Sequence, residues 1–465
     1  MSGAQDKRSL FERFGRHINR GQIQYLRAGH LDVVEGERQG IRFKDPFTGK
    51  EMLDCFTSAG CFNVGRRNPE VIESLEEALE TLDMGSHHLV SEHKIALAKE
   101  LVRLAPGDLN RVVFASGGGE AVDCAIKLAR GSTRRPKILA TVKAYHGHTG
   151  FALSANGKEH YRKHFEPLMP GFSFLPFNDL EAMEAAAGDD TAAILVEPVQ
   201  GEAGIFVASA DYLRGLRRLC SDKGILLIFD EVQTGFGRTG KMFAAEHYDV
   251  VPDILAVAKS LGGGLFPNGA VLYRDAPPMA DFVDADPLFH DTFGGGSDLG
   301  CRVSLAALRT LVKQDLPGRA ARVGAVFKEE LEEIQRENPK IIKEVRGLGL
   351  MLGIEYIHEF MGPMMSDALA KHGVFAAYSG NAPQVMRFMM PIVAVEEDVR
   401  AVAEAIRLAI RDMRTLLPLA LPAARIPWVL RILNNERVQT VSFNALRSLE
   451  DLYRALCFWR RRDAP

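Results

Sequence analysis

Four residue patterns in this sequence stand where apolar runs end, and each has a chemistry of its own. Lys259 closes the run DILAVAKS and is followed by Ser260-Leu261-Gly262-Gly263-Gly264. An amine at the end of an apolar strand can lose its hydration and act as a nucleophile; a lone lysine there also reads as a surface residue with a buried stem. Asp230 and Glu231 close the run GILLIFDE, with Gln233 just beyond. A carboxylate at such an end can hold a protonated heteroaromatic nitrogen, or it can cap a helix. Ser116-Gly117-Gly118-Gly119-Glu120 ends a third run and opens the helical pattern AVDCAIKLAR. Three glycines let backbone N–H groups approach an anion at the positive end of a helix, and a plain tight turn satisfies the pattern equally. Neither a Gly-Lys-Ser/Thr closure nor a G-x-G-x-x-G spacing is present, which excludes a Walker loop and a dinucleotide fingerprint there. Tyr145-His146-Gly147-His148 offers a ring face and two imidazoles. Two histidines without a third ligand make a poor metal site, so no metal is expected. An aromatic platform under a flat cofactor fits better.

The elements that must position these residues are legible in the hydrophobic rhythm. From about Asn68, helical patterns such as VIESLEEALETL and HKIALAKELVRLA alternate with short apolar runs: RVVFA, KILATV, AAILVEP, GILLIFDE, DILAVAKS and GAVLY. Buried strands separated by helices predict an α/β fold with a largely parallel sheet covered on both faces. Ligands gather outside the carboxyl ends of such strands, where Ser116–Glu120, Tyr145–Thr149, Glu197–Gly204, Asp230–Gln233 and Lys259 fall. Before this region, Asp45-Pro46-Phe47-Thr48-Gly49-Lys50 has the composition of a hairpin turn. After about Leu311, RAARVGAVFKEELEEIQREN, IIKEVRGLGLMLGIEYI and VEEDVRAVAEAIRLAIRDM read as a smaller α+β unit. The expected division is an N-terminal segment, 1–60, joining the small domain; a large domain, 61–315; a C-terminal small domain, 316–420; and a helical tail, 421–465.

Composition closes off other classes. With 46% hydrophobic and 25% charged residues, the 465-residue chain has the balance of a soluble globular protein. Its 57 basic and 60 acidic residues leave a formal charge of −3, so no nucleic-acid partner is expected. Six scattered cysteines without paired spacing argue against zinc knuckles and a disulfide framework, and for a reducing compartment. The opening MSGAQDKRSLFERFGRHINRG lacks an apolar core and carries Asp6 and Glu12, so it does not read as a secretory signal, and the cytoplasm is expected. In the tail, Leu446, Leu449, Leu452, Tyr453 and Leu456 mark an apolar helical stripe before Arg460, Arg461 and Arg462. A helix packed on its own dimer is the favoured reading; docking to a membrane surface or a protein is the alternative.

A phosphate cradle, an aromatic platform, a carboxylate for a ring nitrogen and a lysine nucleophile are together what pyridoxal 5′-phosphate requires. The segments FASGGGEAVDCAIKLAR, YHGHT, EPVQGEAG, IFDEVQTGFGRTG, the Lys259 context, TFGGGS, RGLGLMLGIE and MRFMMP resemble, in order, those of the class III (ω-) aminotransferases of PLP fold type I. The resemblance runs from roughly residue 25 to 415. It implies catalytic roles for Lys259, as the aldimine-forming amine, and for Asp230, paired with the pyridine nitrogen. It places Gln233 near the phenolic oxygen, Tyr145 against the ring, and the backbone of Gly118 and Gly119 on the phosphate. Thr292 from a partner subunit joins them, which implies a homodimer with shared active sites. For the substrate, it assigns Arg387 to an α-carboxylate and Glu202 to Arg387 as intramolecular partner, with Phe62 and His148 lining the pocket.

Departures from the family pattern narrow the substrate. Ser116-Gly117-Gly118 replaces the usual Asn-Ser-Gly, leaving fewer side-chain donors for phosphate. His148 stands where many members carry arginine, and Ala59 where ornithine-type enzymes carry tyrosine. Acetylornithine and ornithine are therefore disfavoured. The implied reaction is transfer of an amino group from an ω-amine or amino acid to a keto acid, 2-oxoglutarate or pyruvate, by ping-pong kinetics. The alternatives are an aminomutase or decarboxylase of the same family, a cofactor-binding protein without turnover, and a cofactor-independent Schiff-base lyase. Gln200-Gly201-Glu202 favours transamination among them.

Overall fold

The computed structural model describes residues 2–28 and 33–414; the tail stripe from Leu446 to Leu456 lies outside the described residues. At its centre is a seven-stranded sheet in the spatial order Leu109–Ala115, Gly269–Arg274, Ile254–Val257, Leu226–Asp230, Thr191–Val196, Lys137–Thr141, Phe172–Leu175. Each of the six apolar runs forms one strand. The seventh, Phe172–Leu175, is an edge strand whose four residues are only half-buried, which is why its run is too short to stand out. The sheet is parallel except for Gly269–Arg274, which runs antiparallel to both of its neighbours. Every residue of Thr191–Val196, Leu226–Asp230 and Ile254–Val257 is buried, as a sheet covered on both faces requires.

Helices close the faces, and their ends follow local chemistry. Asn68 caps Pro69–Leu79, its side chain accepting from the amides of Glu70 and Val71, with proline in the first turn where its missing N–H costs nothing. Ser209 caps Ala210–Lys223, which stops at the left-handed Gly224. Helix Gly118–Thr133 buries Ala121, Val122, Cys124, Ala125, Ile126, Leu128 and Ala129 against the sheet, while its first two residues are glycine.

Two four-stranded sheets flank this body. Arg42–Lys44 and Glu51–Asp54 form an antiparallel hairpin whose turn is held by Asp45, which accepts from the amides of Phe47 and Thr48. Strand Glu51–Asp54 also pairs in parallel with Val374–Phe375, so the N-terminal segment shares a sheet with the C-terminal one. The other sheet orders Ile342–Leu348, Met351–Tyr356, Val385–Phe388 and Ala377–Tyr378 in antiparallel fashion. Helices Leu316–Glu337 and Glu396–Arg414 pack together on this part, the latter burying Val399, Val402, Ile406, Ile410 and Met413 along one face.

The candidate active site

Beyond the carboxyl ends of the central strands lies a cavity of about 190 Å³, lined among others by Gly118, Gly119, Tyr145, His146, Glu197, Glu202, Asp230, Val232, Gln233 and Lys259. The carboxyl-end rule thus brings together residues far apart in the chain. Lys259 follows strand Ile254–Val257 and adopts a left-handed φ of 48°, an uncommon conformation for a residue with a side chain. Burial lowers the basicity of its amine below the ordinary 10.5; Cys61, Glu202 and Asp230 oppose that shift without overcoming it. Gly118 needs to be glycine: a Cβ there would sit 2.7 Å from Val232 Cγ1.

Asp230 ends its strand with both carboxylate oxygens engaged. Oδ1 accepts from the amide of Val232 at 3.0 Å, and Oδ2 lies 2.7 Å from Nδ1 of His146. The His146 side chain is fully buried and its Nε2 has no described partner. Burial disfavours the imidazolium, yet the hydrogen bond to Asp230 and the charges of Asp230 and Glu197 hold His146 above its usual 6.5. Glu197 receives the amides of Tyr145 at 3.0 Å and Gly201 at 3.2 Å. Burial pushes its carboxyl up to about 7, against the opposing pull of His146. Sequence reasoning gave neither His146 nor Glu197 a role. Both carried a signal, since each falls in a segment that follows an apolar run.

Glu202 and Arg387 meet across the boundary between the central sheet and the C-terminal sheet. Arg387 is 3% exposed, its Nη1 donates to Glu202 Oε1 at 2.5 Å, and its guanidinium lies 5.8 Å from the centre of the Phe56 ring. Burial raises the Glu202 carboxyl, but the charge and hydrogen bond of Arg387, helped by Lys259 and the Gly380 amide, bring it below the ordinary 4.5. The Glu202 carbonyl is fixed by the amide of Asn381 at 3.2 Å and by the hydroxyl of Ser379. Both its backbone and its carboxylate are therefore held by the C-terminal part of the chain.

The remaining sequence-derived residues are more dispersed. Gln233 donates from Nε2 to the carbonyl of Ala59 at 2.9 Å, tying a turn in which Thr57, Ser58 and Ala59 are all left-handed to the cavity wall. Nothing in the sequence marks those three residues as left-handed, since none is glycine. Tyr145 lines the cavity, and its ring centre stands 5.6 Å from that of His148 and 5.3 Å from that of Tyr161. His148 itself is exposed and outside the lining. Phe62 is also outside it, its ring 4.4 Å beneath the guanidinium of Arg66. Thr292 does not line the cavity of its own chain; its hydroxyl reaches the carboxylate of Glu120 in the first turn of helix Gly118–Thr133. Among the described residues, His87, His88 and Asp291 make one group with metal-ligand atoms close together, and it is partly exposed, with His87 Nε2 3.4 Å from Asp291.

The chain matches the family described as aminotransferase class-III over residues 26–410. It is 41% identical over 404 residues to an uncharacterized aminotransferase of Archaeoglobus fulgidus, covering 87% of this chain and 94% of that protein. Among solved structures, a transaminase from the marine bacterium Virgibacillus superposes with a TM-score of 0.81 at 27% identity, covering 88% of this chain and all of that one. An ornithine aminotransferase from Toxoplasma gondii, with PLP at partial occupancy in its active site, gives a TM-score of 0.76 at 31% identity, covering 81% and 90% of the two chains.

Proposed function

Since the chain belongs to the class III aminotransferases, a PLP-dependent family of fold type I, we propose that it moves an amino group from an ω-amine or amino acid to 2-oxoglutarate or pyruvate in two alternating half-reactions. The residues present fit the cofactor. Helix Gly118–Thr133 opens on two glycines that line the cavity, so the unpaired amides there are not screened by side chains of their own, which suits a phosphate. A carboxylate and an amine, Asp230 and Lys259, line the same cavity. That shared cavity is the observation that carries the reading.

In this reading Gly118 and Gly119 hold the phosphate, Asp230 meets the pyridine nitrogen, Gln233 stands near the phenolic oxygen, Tyr145 lies against the ring, and Lys259 anchors the cofactor through Nζ. When bound, the cofactor supplies an electron sink for the substrate carbon from which a proton is removed. The protein does the rest. Lys259 Nζ, made less basic by burial, would take the proton from the substrate carbon and deliver it to the cofactor carbon two bonds away, across the nitrogen. His146 keeps Asp230 aimed by its 2.7 Å contact. Glu202 pairs Arg387 while an amine without an α-carboxylate is bound, and swings aside when the substrate brings a carboxylate of its own. His148 and Phe62 are assigned to the outer wall of the substrate pocket.

We assign the active unit to a homodimer in which Thr292 serves the neighbouring phosphate site. Its position outside its own cavity supports this, as do the exposed apolar side chains Leu89, Val90, Leu288 and Phe293. The division into segment 1–60, large domain 61–315, small domain 316–420 and tail 421–465 goes with this assignment, the cavity facing the seam where Glu202 meets Arg387. Among the described residues no helix is long and apolar enough to cross a membrane, and the five described cysteines are free, which suits the cytoplasm as the proposed location.

The test is a panel of ω-amines and amino acids, each added to the PLP-loaded protein and followed by cofactor absorbance. Donors should bleach the visible band, and 2-oxoglutarate or pyruvate should restore it. No bleaching with any donor points to a binding protein. Product formation without a keto acid points to an aminomutase or a decarboxylase.

A further inference from the structure

The phosphate cradle is poor in hydroxyl groups. Gly117, Gly118 and Gly119 have no side chains, and the Ser116 hydroxyl and amide are both committed to the Glu120 carboxylate, the amide at 2.6 Å. One free hydroxyl stands beside them. Thr149 precedes helix Gly150–Ala155, yet its side chain does not cap that helix and bonds to no described residue. Instead it leans on the first turn of helix Gly118–Thr133. A Cβ built on Gly119 would meet Thr149 Oγ1 at 2.9 Å and Cγ2 at 3.4 Å. Thr149 therefore occupies the space that a side chain at position 119 would take.

This approach is built into the backbone. Gly147 has a φ of 125°, and a Cβ there would lie 2.8 Å from Gly119 Cα. Two facing glycines let the segment Tyr145–Thr149 press against the helix start, where the unpaired amides of the first turn favour an anion. From this we propose that the Thr149 hydroxyl is a phosphate ligand, donating to the cofactor from across the gap in place of the hydroxyl that the glycine run lacks. The inference rests on the cofactor reading above and adds to it a binding residue from a different element.

The experiment measures the affinity of the apoprotein for PLP and for pyridoxal, which offers the same carbonyl carbon but no phosphate. Thr149→Val should weaken PLP binding by about ten- to a hundredfold, the scale of one hydrogen bond to a charged group. Thr149→Ser should stay within about threefold of the native protein, and pyridoxal affinity should be the same in all three. Gly119→Ser alone should bind PLP poorly, because its side chain collides with Thr149. Combined with Thr149→Ala, it should recover, because the new hydroxyl then has both room and position. Equal loss of PLP and pyridoxal in Thr149→Val shows a structural role and overturns the proposal, as does native PLP affinity in that variant. Failure of the double variant to recover also counts against it, and guards against a Thr149→Val protein that simply folds badly. If the native apoprotein takes up neither compound, the cofactor reading falls first, and this inference with it.

Discussion

Replacing Glu202 with alanine removes the carboxylate that, among the described residues, pairs Arg387, and the geometry sets the scale of the effect. In the native pair, Nη1 and Oε1 are 2.5 Å apart, Arg387 is 3% exposed, and its Nε is already without a described partner. An α-amino acid must displace Glu202 before its own carboxylate can reach the guanidinium. A hydrogen bond between charged groups contributes about 1.5–3 kcal/mol, so removing the competitor should raise kcat/KM for α-amino acids by about 10–100-fold. An amine lacking that carboxylate gains nothing, because Arg387 is unpaired both before and after it binds. The uncompensated guanidinium should appear instead as a loss of stability, about 3–5 kcal/mol for a buried pair broken on one side. Stopped-flow bleaching of the cofactor band by each donor class, in single turnover, reads the ratio directly. If Glu202→Ala changes both classes equally, Glu202 and Arg387 form a fixed brace and the gating argument fails. Because Glu202 is held below its ordinary 4.5, its contribution is present above that pH and is lost only as pH falls further, so the ratio should be flat from pH 6 to 8.

Lys259→Ala should still bind PLP but lose turnover by about 10²–10⁴-fold or more, and a variant that keeps the native cofactor spectrum moves the nucleophile to another lysine. Since burial lowers the Lys259 amine from 10.5, the rate of PLP capture by the apoprotein should reach half its maximum below pH 10.5; a midpoint at or above that value contradicts the burial argument. Glu197 is raised from 4.5 to about 7, so the folded state keeps a proton that the unfolded chain has released; its stabilising share is complete below pH 4.5 and lost as pH rises through 7. Glu197→Gln, neutral at every pH, should therefore gain on the native apoprotein by roughly 3 kcal/mol between pH 4.5 and 8 at fixed protein concentration; a pH-independent difference in denaturant midpoints refutes this. Mixing Lys259→Ala with Thr292→Ala subunits should restore activity to one hybrid site, and demonstrated exchange without restoration would count against sharing across a dimer interface.

What the sequence made legible follows from which forces act locally. The central strands announce themselves because a strand buried on both faces needs an unbroken apolar run, and Leu226–Asp230 or Thr191–Val196 meet that need wherever they fall in the chain. The residues after those runs then come together by topology alone, so the sequence itself marks Lys259 and Asp230. Phe172–Leu175 escaped notice because an edge strand needs less apolar length. The left-handed turn at Thr57, Ser58 and Ala59 was illegible for a different reason. No local preference produces it, and Thr57 is held there by a hydroxyl bonded to the distant carbonyl of Met389 at 2.8 Å and an amide bonded to Asp54 at 2.7 Å. The same division separates the two histidines of Tyr145-His146-Gly147-His148. As residue types they are equivalent imidazoles; in the fold, one turns into the interior against Asp230, and past Gly147, at a φ of 125°, the other lies exposed beside Tyr145 and Tyr161. Their roles differ because an imidazole acts on whatever charge it faces, and what each one faces is decided by contacts many residues away.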